Sequence, residues 1–270
     1  MKLKLNFKHG DIEGIIKVSH VNDTIVIITN GHNGFYNYGM FPFIQEELLK
    51  NNISSFSYNF SHGGVIGDAD RFDDLEKYEK NCMRLEKLDF IEVHKAISSK
   101  YPKAKIVHLA HSLGGIPTTF GVLELEKQNI PVAGAILLAT VKKLDIWTKE
   151  VIEQWKTNKV LFKKNNRTKQ ELPQGSEFLI EVLNARINWN VETALGDIKT
   201  PFYYIHGKED EAIPYEHGVN QFLWKTSNSE LSLIEKGTHT LNTKHPFQGP
   251  SPQLSEFLDL AINWIKEKSK

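Results

Sequence analysis

One cysteine, Cys82, stands among 270 residues. That scarcity excludes an internal disulfide and any cysteine-rich metal site, and it fits a reducing cytoplasm, the expected location. Excess charge of either sign is missing as well. The 33 Lys and Arg balance 33 Asp and Glu, so no overall field favours a nucleic acid or a membrane surface as partner. No apolar run is long enough to span a bilayer. The opening Met1-Lys2-Leu3-Lys4-Leu5-Asn6-Phe7-Lys8 alternates charged and apolar residues, a strand pattern without the unbroken apolar stretch of a signal peptide. Eleven histidines raise the question of a metal, yet neither H-x-H-x-D nor H-E-x-x-H spacing occurs, and no metal or other cofactor is expected. The expectation is a soluble globular chain, long enough for one large α/β domain or for a domain carrying an insertion.

Strand and helix patterns alternate along it. Residues 3–7 and 14–18 read as an antiparallel pair turning near His9-Gly10-Asp11, and 24–29 as an apolar strand running out at Asn30-Gly31. A helix over 43–50 and a strand over 54–60 follow, then a helix over 73–99 with Leu75, Tyr78, Cys82 and Leu85 on one face. Further strands fall at 105–110, 134–140, 201–206 and 231–235, with helices over 116–127 and 254–268. This order implies an α/β fold: a mostly parallel central sheet of about eight strands with helices on both faces. Residues 1–140 and 198–270 then form the core. The stretch 141–197 breaks the rhythm with Trp147, Trp155 and Trp189, many lysines and no convincing strand. Trp147, Val151 and Trp155 share a helical face, and Phe178, Val182 and Leu183 suggest a second helix. The stretch is expected to form a small helical cap over the carboxyl edge of the sheet, its aromatics packed onto the core. Its lysines read first as a solvated face, although the same excess would suit an anionic substrate.

The most telling stretch is Lys105-Ile106-Val107-His108-Leu109-Ala110-His111-Ser112-Leu113-Gly114-Gly115. A branched apolar run breaks at a serine flanked by small residues, and a helical pattern follows. Strand, sharp turn with serine at its tip, then helix is the arrangement of a nucleophile elbow. Ser112 must there sit on a strained turn, so Ala110 and Gly114 have to be small enough for strand and helix to approach. The turn also aims the first N–H groups of the helix at the reacting atom.

A nucleophilic serine needs a base, and the base needs an orienting acid. Asp210 lies on the loop where Tyr203-Tyr204-Ile205-His206-Gly207 leaves the sheet, and His239 lies just past Gly237 at the next strand end. The order Ser112, Asp210, His239, all at carboxyl ends of strands where ligands bind in such sheets, makes them the candidate triad. Asp145 is a rival acid and His245 a weaker rival base. Glu209 and Glu211 flank Asp210 but should point differently, His111 must face away from the Ser112 side chain, and His206 reads as structural. Candidate oxyanion donors are the backbone N–H groups of Leu113 and of His32, in the loop Thr29-Asn30-Gly31-His32-Asn33-Gly34-Phe35. That loop has neither a GK[ST] ending nor G-x-G-x-x-G, which weakens a phosphate-binding reading.

Four stretches together carry a family likeness: the 30–41 loop, Asn59-Phe60-Ser61-His62, the elbow, and Gly237-Thr238-His239-Thr240 running on to His245-Pro246-Phe247. Over nearly its whole length the chain resembles the α/β-hydrolase fold superfamily, close to its dienelactone-hydrolase-like and acylaminopeptidase-related esterase branch. The resemblance implies Ser112 as nucleophile, Asp210 as acid and His239 as base. The implied reaction cleaves a small-to-medium carboxylic ester, the partner substrate, through an acyl-enzyme. Amide or peptide hydrolysis is the runner-up, and a non-catalytic ligand-binding protein of the same fold stays open as a third reading. Two positions depart from the family pattern. Asn30 stands where the His of a His-Gly pair is usual, and Ala110 where the elbow usually has its first glycine. Neither change removes a catalytic atom, because the oxyanion donors are backbone groups. A serine nucleophile argues against haloalkane dehalogenase or epoxide hydrolase chemistry, which on this fold uses a carboxylate. No pattern in the chain sets an oligomeric state.

Overall fold

Alternating charged and apolar residues make the first two strands two-faced. Lys2–Phe7 (β1) and Gly10–Lys17 (β2) pair antiparallel, with Phe7 opposite Gly10. The computed structural model describes residues 1–20 and 23–269; Val21, Asn22 and Lys270, within stretches assigned above to the core, lie outside the described residues. Thr24–Thr29 (β3), Ser54–Tyr58 (β4) and Gly134–Leu138 (β6) are buried throughout, and Lys105–His111 (β5) at all but its first residue. Such runs suit strands covered on both faces. With Phe202–Gly207 (β9) and Ser229–Ile234 (β10) they complete an eight-stranded sheet in the order β1-β2-β4-β3-β5-β6-β9-β10. β2 meets β4 antiparallel, and every pair from there to β10 is parallel. The carboxyl ends of β3, β5, β9 and β10 therefore open on one edge.

Helices cover both faces because alternate strand residues point to opposite layers. Phe41–Lys50 (α1) and Pro252–Lys268 (α10) bury Phe41, Ile44, Leu48, Phe257 and Trp264 against Val26, Ile28, Val107 and Leu109. On the other face, Val93 and Ile97 of Met83–Lys100 (α3) meet Ile25, Ile27 and Ile106. Beside them, Ile116, Val122 and Leu125 of Gly115–Lys127 (α4) pack with Ala110, Ala135 and Leu137. Glu216–Trp224 (α9) joins β9 to β10.

Residues 141–197 hold helices Lys149–Asn158 (α5), Ser176–Leu183 (α6), Ala185–Asn188 (α7) and Val191–Asp197 (α8). The Thr148 hydroxyl caps α5 by accepting from the Val151 N–H, and the Asn190 side chain caps α8 by accepting from the Thr193 N–H. Trp155 and Phe178 are fully buried, stacked at 6.1 Å with Trp147 against both, and they share one apolar cluster with α4 and β5. Leu183, placed on the second helix by its spacing, is 49% exposed.

Two expectations are corrected here. The 141–197 segment is not purely helical: Leu161–Lys164 (β7) and Glu171–Gln174 (β8) form an antiparallel hairpin with Lys164 opposite Glu171. Leu161 and Leu172 are its buried anchors, and the surrounding lysines hide so short an alternation. The long helix expected over 73–99 is two, Leu75–Lys80 (α2) and α3, parted by extended backbone at Asn81 and Cys82. Tyr78 and Cys82 are buried as their spacing suggested, while Leu75 is 38% exposed. The break frees the Asn81 amide to donate to the buried Glu86 carboxyl at 2.7 Å.

That carboxyl yields a pH prediction. Burial pushes the Glu86 pKa up to about 8, the Asn81 hydrogen bond opposes this, and Asp89 and Glu181 add to it. The folded protein thus keeps a proton that the unfolded chain gives up above about pH 4.3. Unfolding then releases a proton, and this group makes stability fall as pH rises from about 5 to about 8, by up to about 1.4 kcal/mol per pH unit. Glu86→Gln should flatten that part of the curve, so urea unfolding at pH 5 and pH 8 should show the variant gaining on wild type at the higher pH. Parallel curves would contradict it.

Candidate active site

β5 delivers Ser112 to the open edge. Its backbone lies in the left-handed region with φ of 56°, a conformation costing a non-glycine residue on the order of 1–3 kcal/mol. The 3₁₀ turn Ser112–Gly114 follows at once, and α4 begins at Gly115. Close packing holds the turn in place: a Cβ on Gly114 would stand 2.4 Å from the Asn30 carbonyl oxygen, and one on Gly31 would stand 2.8 Å from the Ser112 Cβ. The loop after β3 is thus pressed against the elbow. Ala110 is fully buried, so the larger residue at the first small position is accommodated.

The loops after β9 and β10 bring Asp210 and His239 to the same place. The Ser112 Oγ lies 3.0 Å from His239 Nε2, and His239 Nδ1 lies 2.8 Å from Asp210 Oδ2. With Nδ1–H donated to the carboxylate, Nε2 is left as the acceptor for the serine hydroxyl. Asp210 Oδ1 accepts the backbone N–H groups of Ala212 at 2.9 Å and Ile213 at 2.8 Å. Burial alone would raise the Asp210 pKa, but hydrogen bonds from His206 and His239 outweigh it and hold the carboxyl well below the usual carboxylate range.

The rival residues fall into place around this chain. His206, fully buried, donates from Nε2 to the Ile213 carbonyl at 2.8 Å and lies 3.2 Å from Asp210 Oδ2, so it is structural and also braces the acid. His111 makes no hydrogen bond to Ser112; its Nε2–H donates to the His239 carbonyl at 2.9 Å, and burial, then the nearby His239, push its pKa down to about 3. A neutral His111 therefore pins the backbone of the candidate base, a role that adjacency in sequence did not reveal. Asp145 pairs with Lys143 at 3.2 Å, and Glu209 and Glu211 are exposed. His245 accepts from the Gly39 N–H at 3.0 Å and stacks on Tyr38 at 4.9 Å, so it supports the loop after β3.

His32 and Leu113 lie on the two segments that Gly31 packs together; a Cβ on Gly31 would also stand 3.4 Å from the Leu113 nitrogen. Burial, reinforced by Lys163, lowers the His32 pKa to about 4, so its ring adds no charge there. Asn30 donates its side-chain amide to the Tyr58 carbonyl at 2.8 Å, and Asn59 accepts from the Tyr36 N–H at 2.8 Å. The Tyr78 hydroxyl, from α2, donates to Asn33 Oδ1. The Asn30 departure thus serves as a tie between the loop and β4.

A cavity of 260 Å³ opens above the serine, lined among others by His32, Tyr38, Phe41, Arg167, His239 and Thr240. Asn165, Asn166 and Arg167 come from the β7–β8 turn and were not singled out by sequence. A larger hollow of 700 Å³ beside Leu123 and Lys199 is lined by no serine and no histidine, so size does not mark the site. Among the described residues no three His, Cys, Asp or Glu side chains cluster closely enough to hold a metal ion. Chemically, a hydroxyl bonded to an imidazole that is bonded to a carboxylate can pass its proton to the imidazole as it attacks a carbonyl carbon.

No protein-family model matches the chain. Solved structures do match along its length. GrgF, an α/β hydrolase from a Penicillium species, is similar at a TM-score of 0.73 and 13% identity, covering 100% of this chain and 98% of its own. Est1E from Butyrivibrio proteoclasticus, solved with ferulic acid bound, matches at 0.69 and 17% identity over 98% of this chain and 96% of its own. A dienelactone hydrolase from Anabaena variabilis matches at 0.63 and 11% identity over 99% and 96%.

Proposed function

We propose that this chain, which has the α/β-hydrolase fold, is a serine hydrolase cleaving small-to-medium carboxylic esters. The observation that carries the reading is the unbroken hydrogen-bond chain from Ser112 through His239 to Asp210, 3.0 and 2.8 Å long at its two links. His239 takes the serine proton as Oγ attacks the ester carbonyl, and Asp210 stabilises the imidazolium that forms. Backbone N–H groups of Leu113 and His32 receive the developing oxyanion. His239 then protonates the departing alcohol, and water activated by the same imidazole releases the acid from Ser112. A substrate of small-to-medium size suits the 260 Å³ hollow above Ser112, whose wall includes Asn165, Asn166 and Arg167 of the β7–β8 turn. Cys82 is free and buried, which suits a cytoplasmic setting. Among the described residues no helix is long and apolar enough to cross a membrane.

Stopped-flow hydrolysis of p-nitrophenyl acetate, butyrate and octanoate, beside the matching p-nitroanilides, tests the reaction class. An acyl-enzyme that forms faster than it hydrolyses should appear as a burst of nitrophenol near one equivalent, with esters turned over at least a hundredfold faster than anilides. Anilides cleaved as fast as esters would favour the amidase reading, and no turnover of either would leave the fold without this chemistry.

A further inference from the structure

The β7–β8 hairpin brings one cation to the catalytic cavity. Arg167 lines the same hollow as Ser112 and His239. Its guanidinium carbon lies 4.5 Å from the Phe35 ring centroid, 4.9 Å from that of Tyr38 and 5.9 Å from that of Phe72. Stacking holds the group without neutralising it. Nε and Nη2 are buried and, among the described residues, have no hydrogen-bond partner. Burial works against the charge, while the Tyr38 hydroxyl and the more remote Asp70 favour it. Those two nitrogens share one edge of the guanidinium, the edge whose parallel N–H groups match the two oxygens of a carboxylate. Charged donors left unmet in a buried setting are costly, and an anionic ligand that displaces the atoms covering this edge would relieve that cost.

The turn that carries Arg167 is well fixed. Asn165 Oδ1 accepts from the N–H groups of Arg167 at 3.0 Å and Thr168 at 3.1 Å. Gln170 brackets Phe72, accepting its N–H at 3.0 Å and donating to its carbonyl at 2.7 Å. Lys163 on β7 is exposed and close enough to act on the His32 ring in the cavity wall, while Asp70 sets an opposing charge near Arg167. A side chain serving only to staple the hairpin would need the stacking and not a place in the wall of the cavity that holds Ser112 and His239.

We propose that Arg167 binds substrate, and that the preferred ester carries a carboxylate on the part that faces the β7–β8 hairpin. The inference deepens the esterase reading and rests on it for the identity of the ligand as an ester. Calorimetric titration of the Ser112→Ala protein with monomethyl glutarate and with its neutral counterpart methyl valerate tests it without requiring turnover. The anionic ester should bind at least tenfold more tightly, with an advantage that shrinks as salt is added. Arg167→Met, which keeps apolar bulk over Phe35 and Tyr38, should erase that advantage. Arg167→Lys keeps the charge without the fork and should retain only part of it. If the methionine variant melts lower than its parent, the lysine variant decides. Equal binding of the two esters, binding of neither, or a preference undiminished in both Arg167 variants overturns the proposal. Failure of the esterase reading shows separately, as absence of fluorophosphonate labelling at Ser112 in the otherwise wild-type protein.

Discussion

Ser112→Ala is expected to lower kcat for p-nitrophenyl butyrate by about 10⁶-fold and His239→Ala by nearly as much, because nucleophile and base act as one unit. The magnitude follows from the geometry. Nothing else hydrogen-bonded to His239 Nε2 is nucleophilic, since its partner is the Ser112 hydroxyl at 3.0 Å. The neighbouring imidazole, His111, has its Nε2–H committed to the His239 carbonyl, so it is not free to substitute as a base. Alanine suits the control, since it is no more strained than serine at a φ of 56° and removes only the oxygen. Initial rates together with matched melting curves check the prediction. A fall of less than tenfold would mean that turnover does not pass through this hydroxyl.

Asp210→Asn should cost about 10⁴-fold in kcat while leaving the fold intact. Both carboxylate oxygens are fully engaged, Oδ1 by the Ala212 and Ile213 N–H groups and Oδ2 by His239 Nδ1, with His206 Nε2 3.2 Å away. An amide has only one acceptor oxygen. If that oxygen keeps the backbone donors, the new NH₂ faces His239 and forces its Nδ1 to accept. The proton then moves to Nε2, which can no longer take one from Ser112. The reversed orientation sets the NH₂ against two backbone donors and destabilises the 210–213 turn instead. Rates measured from pH 5 to pH 10 separate these outcomes. A tautomer defect lowers kcat across the range with little change in KM, whereas a displaced loop raises KM and lowers the melting temperature. Activity within a few-fold of wild type would show that the carboxylate does not orient the base.

What was legible in the sequence was local. The elbow is written in consecutive residues, Leu109 to Gly115, whose apolar run, small neighbours and helical continuation describe strand, turn and helix without reference to the rest of the chain. The parallel strands were legible because burial on both faces leaves nearly unbroken apolar runs, as in Thr24–Thr29. Asp210 could be placed at a strand end for the same reason, and His239 by the alternation of the half-exposed edge strand β10. The break between α2 and α3 was hidden because Tyr78, Cys82 and Leu85 keep the same helical period on either side of it, while the Asn81–Glu86 hydrogen bond that accompanies it leaves no mark on that period. The hairpin in the 141–197 segment was missed because its buried anchors, Leu161 and Leu172, sit among lysines. Arg167 belongs to a harder class. Only folding carries it to Ser112, and no spacing rule links a turn arginine to a distant serine. His206 and His111 show the intermediate case, in which position was legible but the partner, the acid for one and the base's backbone for the other, was not.

The most direct measurement is the intact mass of the wild-type protein after exposure to a fluorophosphonate, followed by peptide mapping of the adduct. A serine made nucleophilic by His239 and Asp210 should take up one phosphonyl group per chain, carried on Ser112, and His239→Ala should slow the reaction by several orders of magnitude. A well-folded protein that takes up none, or carries the adduct on another residue, would contradict the assignment of Ser112 as the nucleophile.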